Sequence, residues 1–254
     1  MLSENLNGSI HTTIENKIAT LEFGHPASNS FPSDLLNRLT DELNNLSNNT
    51  AVSVIVLKSS GSGAFCAGAS FDELLAVSNQ QEATKFFSGF ANVLNAMRNC
   101  SKIIIGRIQG KAVGGGVGIA SACDYALATT ESAIKLSELA IGIGPFVIEP
   151  AVSRKIGKSA TTEMTLDTEW KTAAWANQKG LFAKVFETPE KLDQEITAFA
   201  NKLSNYNPEA LTEMKKVFWE GTENWETLLY ERAEISGKLI LSDFSRKALN
   251  QFKK

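Results

Sequence analysis

The sequence from Gly110 to Ala120 reads "GKAVGGGVGIA", with three consecutive glycines and a fourth two residues later inside an otherwise apolar run. Glycine in the interior of a helix or strand costs about 0.5–1 kcal/mol relative to alanine. Such a concentration of glycine indicates that another group must come close to this stretch of main chain.

The segments on either side of this run alternate between patterns typical of strands and of helices. Strand patterns, the first of them a hairpin, cover residues 9–23, 52–59, 102–110 and 125–130. Helical patterns cover residues 32–47, with Ser33 as the predicted cap and a stripe of five leucines, and residues 82–100. This order predicts right-handed crossover units with helices packed on a sheet, and therefore an α/β fold.

The C-terminal part of the chain has helical patterns only. Helices are predicted over 189–205, 207–221 and 225–241, and Asn207 followed by Pro208 is a typical helix start. We therefore divide the chain into a core that carries the functional site, residues 1–190, and a C-terminal helical region, residues 191–254. A helical region without strands is suited to docking on a neighbouring subunit.

Composition and charge exclude several classes of protein. The formal net charge of the 254 residues is −3, and lysine and arginine are spread along the chain, so no nucleic-acid partner is expected. Cys66, Cys100 and Cys123 are odd in number and form no C-x-x-C spacing, which argues against a disulfide framework and a zinc site. We expect no secretory signal and no membrane helix, which needs ~20 apolar residues, and hence a cytosolic protein.

Three interpretations of the glycines can be compared. A dinucleotide-binding turn is matched only in part, because Ser121 stands where its third glycine belongs, although Glu138 lies at the distance of its acidic residue. A phosphate-binding P-loop would need a Gly-Lys-Ser/Thr sequence that does not follow. The third interpretation is a turn entering a helix, whose main-chain N–H groups hold an oxyanion. A second such turn is predicted at 63–75, and tight packing alone remains an equal alternative.

Three blocks together resemble the enoyl-CoA hydratase/isomerase (crotonase) superfamily. They read "FCAGASFDEL", "GKAVGGGVGIASACDYALAT" and "SAIKLSELAIGIGP", and the similarity extends to "IATLEFGHPASNSF" before them and "NQKGLFAKVF" after them. The resemblance implies a spiral of ββα units followed by a helical oligomerisation region that forms homotrimers, often paired into hexamers. It also implies an acyl-CoA thioester as substrate, with no metal and no separate cofactor.

The resemblance assigns roles to individual residues. The main-chain N–H groups of Ala69 and Gly115 would form the oxyanion hole, and Glu138 would act as the general acid and base. A second glutamate of many hydratases falls on Gly118 here, so the usual acid–base pair is incomplete. Gly114 and Gly116 would leave room for the thioester. The other substrate-binding residues implied are Ala64, Cys66, Ala67, Gly68 and Ser70 in the turn that would hold the CoA nucleotide, Pro145 and Phe146 in the following loop, and Lys253 near a phosphate.

The expected reaction is addition or removal of water at the α,β double bond of the thioester. Glu138 needs a pKa raised towards neutrality by apolar surroundings, which Leu136, Leu139, Ile141 and Ile143 are expected to supply. The "LSELAIGIGP" block most resembles the branch that hydrates branched 3-methyl acyl chains, including methylglutaconyl-CoA in leucine breakdown. Δ3–Δ2 isomerisation and non-catalytic acyl-CoA binding remain alternatives. Glu149 is expected to be structural rather than a second catalytic acid.

Overall fold

A computed structural model describes residues 7–251 of the chain, and these residues contain two β-sheets. The strands are β1 (Ser9–Glu15), β2 (Ile18–Gly24), β3 (Val54–Ser59), β4 (Ile103–Ile108), β5 (Ala112–Val113), β6 (Tyr125–Thr129), β7 (Ala133–Lys135), β8 (Lys171–Thr172) and β9 (Lys184–Phe186). The larger sheet has the order β1-β2-β3-β4-β6-β9, and the smaller has the order β5-β7-β8. In the larger sheet only the β1–β2 hairpin is antiparallel, as the sequence predicted.

Ten α-helices lie within the described residues. They are α1 (Ser33–Asn48), α2 (Phe71–Ala76), α3 (Gln80–Asn99), α4 (Gly115–Ala122), α5 (Glu149–Asp167), α6 (Ala173–Gln178), α7 (Pro189–Ser204), α8 (Pro208–Phe218), α9 (Trp225–Ile240) and α10 (Asp243–Gln251). A short 3-10 helix covers Glu138–Ile141. None of these helices has both the length and the apolar character that crossing a bilayer requires.

Strands β3 and β4, in the middle of the larger sheet, are buried on both faces, which explains their nearly continuous apolar sequences. Along β3, Ile55 and Leu57 belong to the main core formed with α1, α3 and α4, whereas Val54 and Val56 pack with α7 on the opposite face. Successive side chains of a strand point to opposite faces. The sheet therefore lies between two helical layers, and the predicted α/β architecture is confirmed.

Helix α1 confirms the predicted leucine stripe but not the predicted cap. All five leucines of the stripe are buried. The helix begins at Ser33 itself, with Pro32 in the N-cap position and no side-chain cap. The Ser33 amide and hydroxyl instead donate to the carboxylate of Glu73, because α2 packs against the start of α1. The prediction of Ser33 as the cap is therefore wrong.

The C-terminal region is helical, as predicted. Asn207 caps α8, its side chain accepting a hydrogen bond from the amide of Glu209 at 2.9 Å. Trp219 and Trp225 are buried edge to face, with their ring centres 5.7 Å apart. The predicted division between residues 190 and 191 lies close to the start of α7, which packs on the larger sheet, whereas α9 lies against α3.

Candidate active site

The two glycine-rich turns lie side by side. Cys66 pairs with Ala112 in an isolated parallel bridge. The Cys66 amide donates to the carbonyl of Lys111 at 3.2 Å, and the Val113 amide donates to the carbonyl of Cys66 at 2.9 Å. These main-chain bonds hold the end of the first turn against the start of the second. An oxyanion site with one N–H donor from each turn requires the two turns to be this close.

Within residues 7–251, neither the main-chain N–H of Ala69 in the first turn nor that of Gly115 in the second has an acceptor. Ala69 is bridged to Phe31, but that bridge uses the carbonyl of Gly68 and the amide of Ser70 on either side of it. Gly115 is the first residue of α4, and the first amides of a helix have no partner within the helix. Both residues line one cavity of about 370 Å³.

The glycine that precedes each donor adopts a main-chain conformation that other residues rarely adopt. Gly68 has φ +91°, and a Cβ there would lie 2.9 Å from the carbonyl oxygen of Val113 and 3.7 Å from the Gly115 nitrogen. Gly114 has φ +51° and ψ −118°, and a Cβ there would lie 2.8 Å from Oε1 of Glu138. These two glycines bring the two donors and the carboxyl group of Glu138 close together.

The other glycines of the run serve packing. A Cβ on Gly116 would lie 2.7 Å from Cβ of Cys66, so this glycine lets α4 approach the first turn and does not keep space for a substrate. A Cβ on Gly118 would lie 2.5 Å from Cγ2 of Ile148. The sequence left two explanations of the glycines open, a main-chain donor site and tight packing. Both apply, because the same run contains closely packed glycines and an amide without an acceptor.

Glu138 is the only carboxylate among the described residues that line the cavity. It begins the 3-10 helix, and its Oε2 is buried without a hydrogen-bond partner in the described part of the chain. The residue as a whole is partly exposed, but burial of the carboxyl group raises its pKa to about 7, against weaker lowering by main-chain hydrogen bonds. A carboxyl group with a pKa near neutrality can both accept and donate a proton.

The walls around Glu138 are mainly apolar. Ile141 and Ile143 line the cavity, as expected. Leu136 is buried in the core instead, and Leu139 is 39% exposed, so neither supplies a wall. Leu139 and Ile141 stand two residues apart in the 3-10 helix, which has three residues per turn, so their side chains point to different sides of it.

Eight of the predicted site residues line the cavity together: Ala67, Gly68, Ala69, Gly114, Gly115, Glu138, Pro145 and Phe146. Five others lie outside its walls: Ala64, Cys66, Ser70, Gly116 and Gly118. The hydroxyl of Ser70 caps α2 by accepting the Glu73 amide, and the carbonyl of Ala64 accepts a hydrogen bond from the Asn29 side chain at 2.9 Å. Lys253 lies outside the described residues.

Several wall residues were not predicted individually. Phe87 and Phe90 come from α3, Ser236 comes from α9, and Ile148 ends the loop that follows the 3-10 helix. The helical pattern over residues 82–100 did not indicate which side chains of α3 face the cavity. Ser236 carries no signal in the sequence, because only the packing of α9 on α3 places it there.

Glu149 is not part of the cavity wall. Its carboxylate accepts hydrogen bonds from the Ser153 hydroxyl and from the Arg232 guanidinium, with which it forms an ion pair. Partial burial alone would raise the pKa of Glu149, but the hydrogen bonds from Ser153 and Arg232 lower it below its ordinary value. The same guanidinium donates to the carbonyl of Phe146 at 3.3 Å. Glu149 therefore ties the loop containing Phe146 to α9.

Comparison with known proteins defines the class to which this site belongs. Residues 13–254 match the family model described as enoyl-CoA hydratase/isomerase. The short-chain-enoyl-CoA hydratase of Clostridium acetobutylicum is 27% identical over 241 residues, which cover 94% of this chain and 92% of that protein. The peroxisomal Delta(3,5)-Delta(2,4)-dienoyl-CoA isomerase of Arabidopsis thaliana is 24% identical over 266 residues, covering 98% and 92%.

The fold agrees with that class. A crystal structure of enoyl-CoA hydratase from Bacillus halodurans superimposes with a TM-score of 0.88, at 21% identity, over 95% of this chain and 99% of that one. The chain belongs to the enoyl-CoA hydratase/isomerase family. The family resemblance and the crotonase-like fold that the sequence indicated are confirmed.

Proposed function

We propose that this protein is an enoyl-CoA hydratase-type enzyme that adds water to, or removes it from, the α,β double bond of an acyl-CoA thioester. The observation that carries the proposal is the presence of two acceptor-free amides, of Ala69 and Gly115, in one cavity with the buried carboxyl group of Glu138. This combination provides charge stabilisation and proton transfer at the same place.

The proposed mechanism begins with the thioester oxygen between the two amides. Attack at the β-carbon or removal of a proton moves negative charge onto that oxygen, and fixed N–H donors stabilise it without reorganisation. Loss of one such donor typically costs about 10²–10³ in rate. Glu138 would take a proton from water as the water attacks the β-carbon, and then return a proton to the α-carbon.

Δ3–Δ2 isomerisation is the second candidate, and the position of Ile148 favours it. This side chain lies over Gly118, so an apolar group covers the place where many relatives have a second glutamate. Isomerisation needs only that Glu138 remove a proton at one carbon and return it two carbons away. Hydration additionally needs a water molecule held beside the β-carbon.

We also propose a type of acyl chain and an oligomeric state for the enzyme. The sequence of the loop after Glu138 supports a branched 3-methyl acyl chain, and the cavity has apolar walls from Phe87, Phe90 and Ile148 that suit an aliphatic group. The helical C-terminal region supports a homotrimer or hexamer. Kinetics with straight and branched thioesters, and the mass in solution, test these two points.

Glu138→Gln tests the proposed chemistry, with Glu131→Gln as its matched control on an exposed turn nearby. We expect Glu138→Gln to fold and bind acyl-CoA, but to lose about 10²–10⁴-fold in turnover, as removal of a general acid or base does. Glu131→Gln should keep wild-type kinetics. Full activity in Glu138→Gln would contradict the assigned role, and binding without turnover of any thioester by the wild type would favour a non-catalytic protein.

Two substrates separate the two reactions. Wild-type enzyme is incubated with a trans-2-enoyl-CoA and, separately, with a trans-3-enoyl-CoA, and the products are resolved by chromatography. A 3-hydroxyacyl-CoA from the first substrate supports the hydratase. Conversion of the second to the 2-enoyl isomer, with no hydration of the first, supports the isomerase and contradicts our first assignment.

A further inference from the structure

The turn that follows β2 has an unusual main-chain conformation. Two consecutive residues, Ser28 and Asn29, have positive φ values of 54° and 56°. Residues other than glycine rarely adopt this left-handed region, although asparagine does so more readily than most. The amide of Asn29 donates to the carbonyl of His25 at 3.0 Å, and the amide of Ser30 donates to the carbonyl of Ala27 at 3.0 Å. A turn of this kind persists only where the surrounding structure fixes it, which directs attention to the contacts that Asn29 makes.

The side chain of Asn29 uses all of its hydrogen-bonding capacity. It is buried, with 6% of the residue exposed. Its Nδ2 donates to the carbonyl of Ser60 at 3.0 Å and to the carbonyl of Ala64 at 2.9 Å. Its Oδ1 accepts the His25 amide at 3.0 Å and the Ser60 hydroxyl at 3.4 Å. Since an asparagine side chain has two N–H donors and one oxygen with two lone pairs, these four bonds satisfy it. Asn29 thereby ties the turn after β2 to residues 60–64, which lead from β3 into the first glycine-rich turn.

Main-chain hydrogen bonds extend this contact to both neighbours of Ala69. The amide of Phe31 donates to the carbonyl of Gly68 at 2.8 Å. The amide of Ser70 donates to the carbonyl of Phe31 at 2.9 Å. Because these two bonds lie immediately before and immediately after Ala69, they fix the direction in which its own N–H points.

The two acceptor-free amides are therefore positioned by different parts of the chain. Gly115 is the first residue of α4, so a helix fixes its N–H. Ala69 lies outside the helices and named strands, and its segment is held by residues 28–31. Asn29 stands in the middle of that short segment. Its side chain is what joins the segment to the chain just before the turn that carries Ala69.

We propose that Asn29 is a positioning residue for the oxyanion hole, and that its side-chain amide keeps the Ala69 N–H aligned with that of Gly115. The inference rests on the proposed function, because it takes these two amides to bind the thioester oxygen. A donor stabilises charge on that oxygen only where it is fixed at hydrogen-bonding distance before the reaction begins. Since a misplacement of about 1 Å can cost ~10²-fold in rate, loss of the Asn29 bonds should lower turnover more than binding.

Two substitutions remove the bonds of Asn29 to the Ser60 and Ala64 carbonyls in different ways. Asn29→Gly removes the side chain but tolerates the positive φ, so the turn is not strained further. Asn29→Asp keeps the size of the side chain and the oxygen that accepts the His25 amide, but has no donor when it is ionised. The matched control is Asn16→Gly, because Asn16 also has a positive φ, 52°, and is exposed at the tip of the β1–β2 hairpin.

We expect both Asn29 variants to lower kcat for hydration of crotonyl-CoA about 10–10²-fold, which is less than the ~10²–10³-fold cost of losing an oxyanion-hole donor outright. The Kd for crotonyl-CoA, measured calorimetrically in the Glu138→Gln background, should change little, because the donor acts mainly on charge that develops in the transition state. Asn16→Gly should keep wild-type kinetics. A merely structural role would lower the number of binding sites per chain and leave kcat per site unchanged.

An infrared measurement reports the alignment of the donors directly. The stretching frequency of a carbonyl falls as the hydrogen bonds to its oxygen strengthen, and Glu138→Gln is expected to bind the thioester without rapid turnover. With crotonyl-CoA isotopically labelled at the thioester carbon, we expect this frequency to be higher in Glu138→Gln/Asn29→Gly than in Glu138→Gln. The control Glu138→Gln/Asn16→Gly should match Glu138→Gln.

Each outcome bears on the inference. Wild-type kcat in the folded Asn29 variants would overturn it and leave the proposed function intact. A lowered kcat with an unchanged carbonyl frequency would also overturn it, since Asn29 would then act elsewhere than on the oxyanion hole. If neither Asn29 variant folded, the side chain would be a requirement of the fold and the assigned role would be wrong. If the wild type transformed neither crotonyl-CoA nor a trans-3-enoyl-CoA, the proposed function would fail and this inference would fail with it.

Discussion

Ile148 occupies the space that any side chain at position 118 would need. Its Cγ2 and Cβ lie 2.5 Å and 2.7 Å from where a Cβ on Gly118 would stand, and Ile148 also lines the cavity. The glycine and the isoleucine are therefore matched to one another. The absence of a second carboxylate is built into the packing of α4 against the start of α5, so Gly118→Glu alone would not restore an acid–base pair.

Gly118→Ala should destabilise the protein. Alanine favours a helix over glycine by about 0.5–1 kcal/mol, but overpacking against Ile148 costs about 1–3 kcal/mol. We expect a net loss of about 1–2 kcal/mol in the free energy of unfolding, measured in urea. The control is Gly63→Ala, where a Cβ would meet nothing within 4 Å and the change should stay within about 0.5 kcal/mol.

The partner can be removed to check the cause. In an Ile148→Gly background, the same Gly118→Ala change should become neutral or stabilising, because both close atoms of Ile148 are gone. A destabilisation that is equally large in both backgrounds would contradict the steric explanation.

The pH dependence of activity should follow Glu138. In the hydration direction the carboxyl group must be ionised to accept a proton from water, and its pKa is raised to about 7 by burial. We therefore expect kcat/KM for hydration to rise between about pH 6 and pH 8, since this ratio reports the free enzyme. Initial rates with crotonyl-CoA across that range check it, and a profile that is flat there would contradict the raised pKa.

The same pKa predicts a pH dependence of stability. The folded-state pKa of Glu138, about 7, lies above the ordinary value of 4.5, so the folded protein retains a proton that the unfolded chain has lost. Relative to Glu138→Gln, the free energy of unfolding of the wild type should fall by about 1–3 kcal/mol as pH rises from 4.5 to 7. Urea unfolding of both proteins at three pH values measures the difference, and parallel pH dependences would contradict it.

The sequence predicted those parts of the fold that depend on local pattern. The leucines of α1 and the apolar run of β3 repeat with the period of their elements, so both are recognisable from the order of residues alone. The short strands β8 and β9 are not, because two or three residues carry no period and are defined only by their neighbours in a sheet.

In the site too, the sequence predicted the residues that belong to motifs but not those placed by tertiary contacts. Ala69, Gly115 and Glu138 were indicated by motifs whose residues come from three separate turns, and the structure brings them to one cavity. The wall that covers Gly118 was not predicted, because the contact with Ile148 depends on how α5 meets α4. Leu139, which the sequence placed among the apolar surroundings of Glu138, is 39% exposed and does not line the cavity, because the 3-10 helix directs it outwards.

Arg232 should stabilise the loop that carries Phe146. Its guanidinium donates both to the Phe146 carbonyl and to the half-buried carboxylate of Glu149. Arg232→Gln would leave that carboxylate without its cation, and we expect a loss of about 1–3 kcal/mol in the free energy of unfolding. The KM for acyl-CoA should rise as well, since the loop is part of the cavity wall.

A double-mutant cycle separates the pair from other effects of the substitution. Glu149→Gln combined with Arg232→Gln should be less destabilising than the sum of the two single changes, because no unpaired charge remains. Additive losses would show that the ion pair makes no contribution of its own.

Cys66 should be unreactive although it stands in a turn of the site. It is fully buried against Gly116, and burial raises the pKa of its thiol to about 12, with a weaker lowering by the Gly68 amide. Only the thiolate attacks disulfides, and Cys100 and Cys123 are buried too. A disulfide reagent such as DTNB at pH 8 should therefore react with the native protein only at the rate of unfolding, and with all three thiols at once in denaturant. Rapid release of one equivalent from the native protein, abolished by Cys66→Ala, would show that this turn opens to solvent.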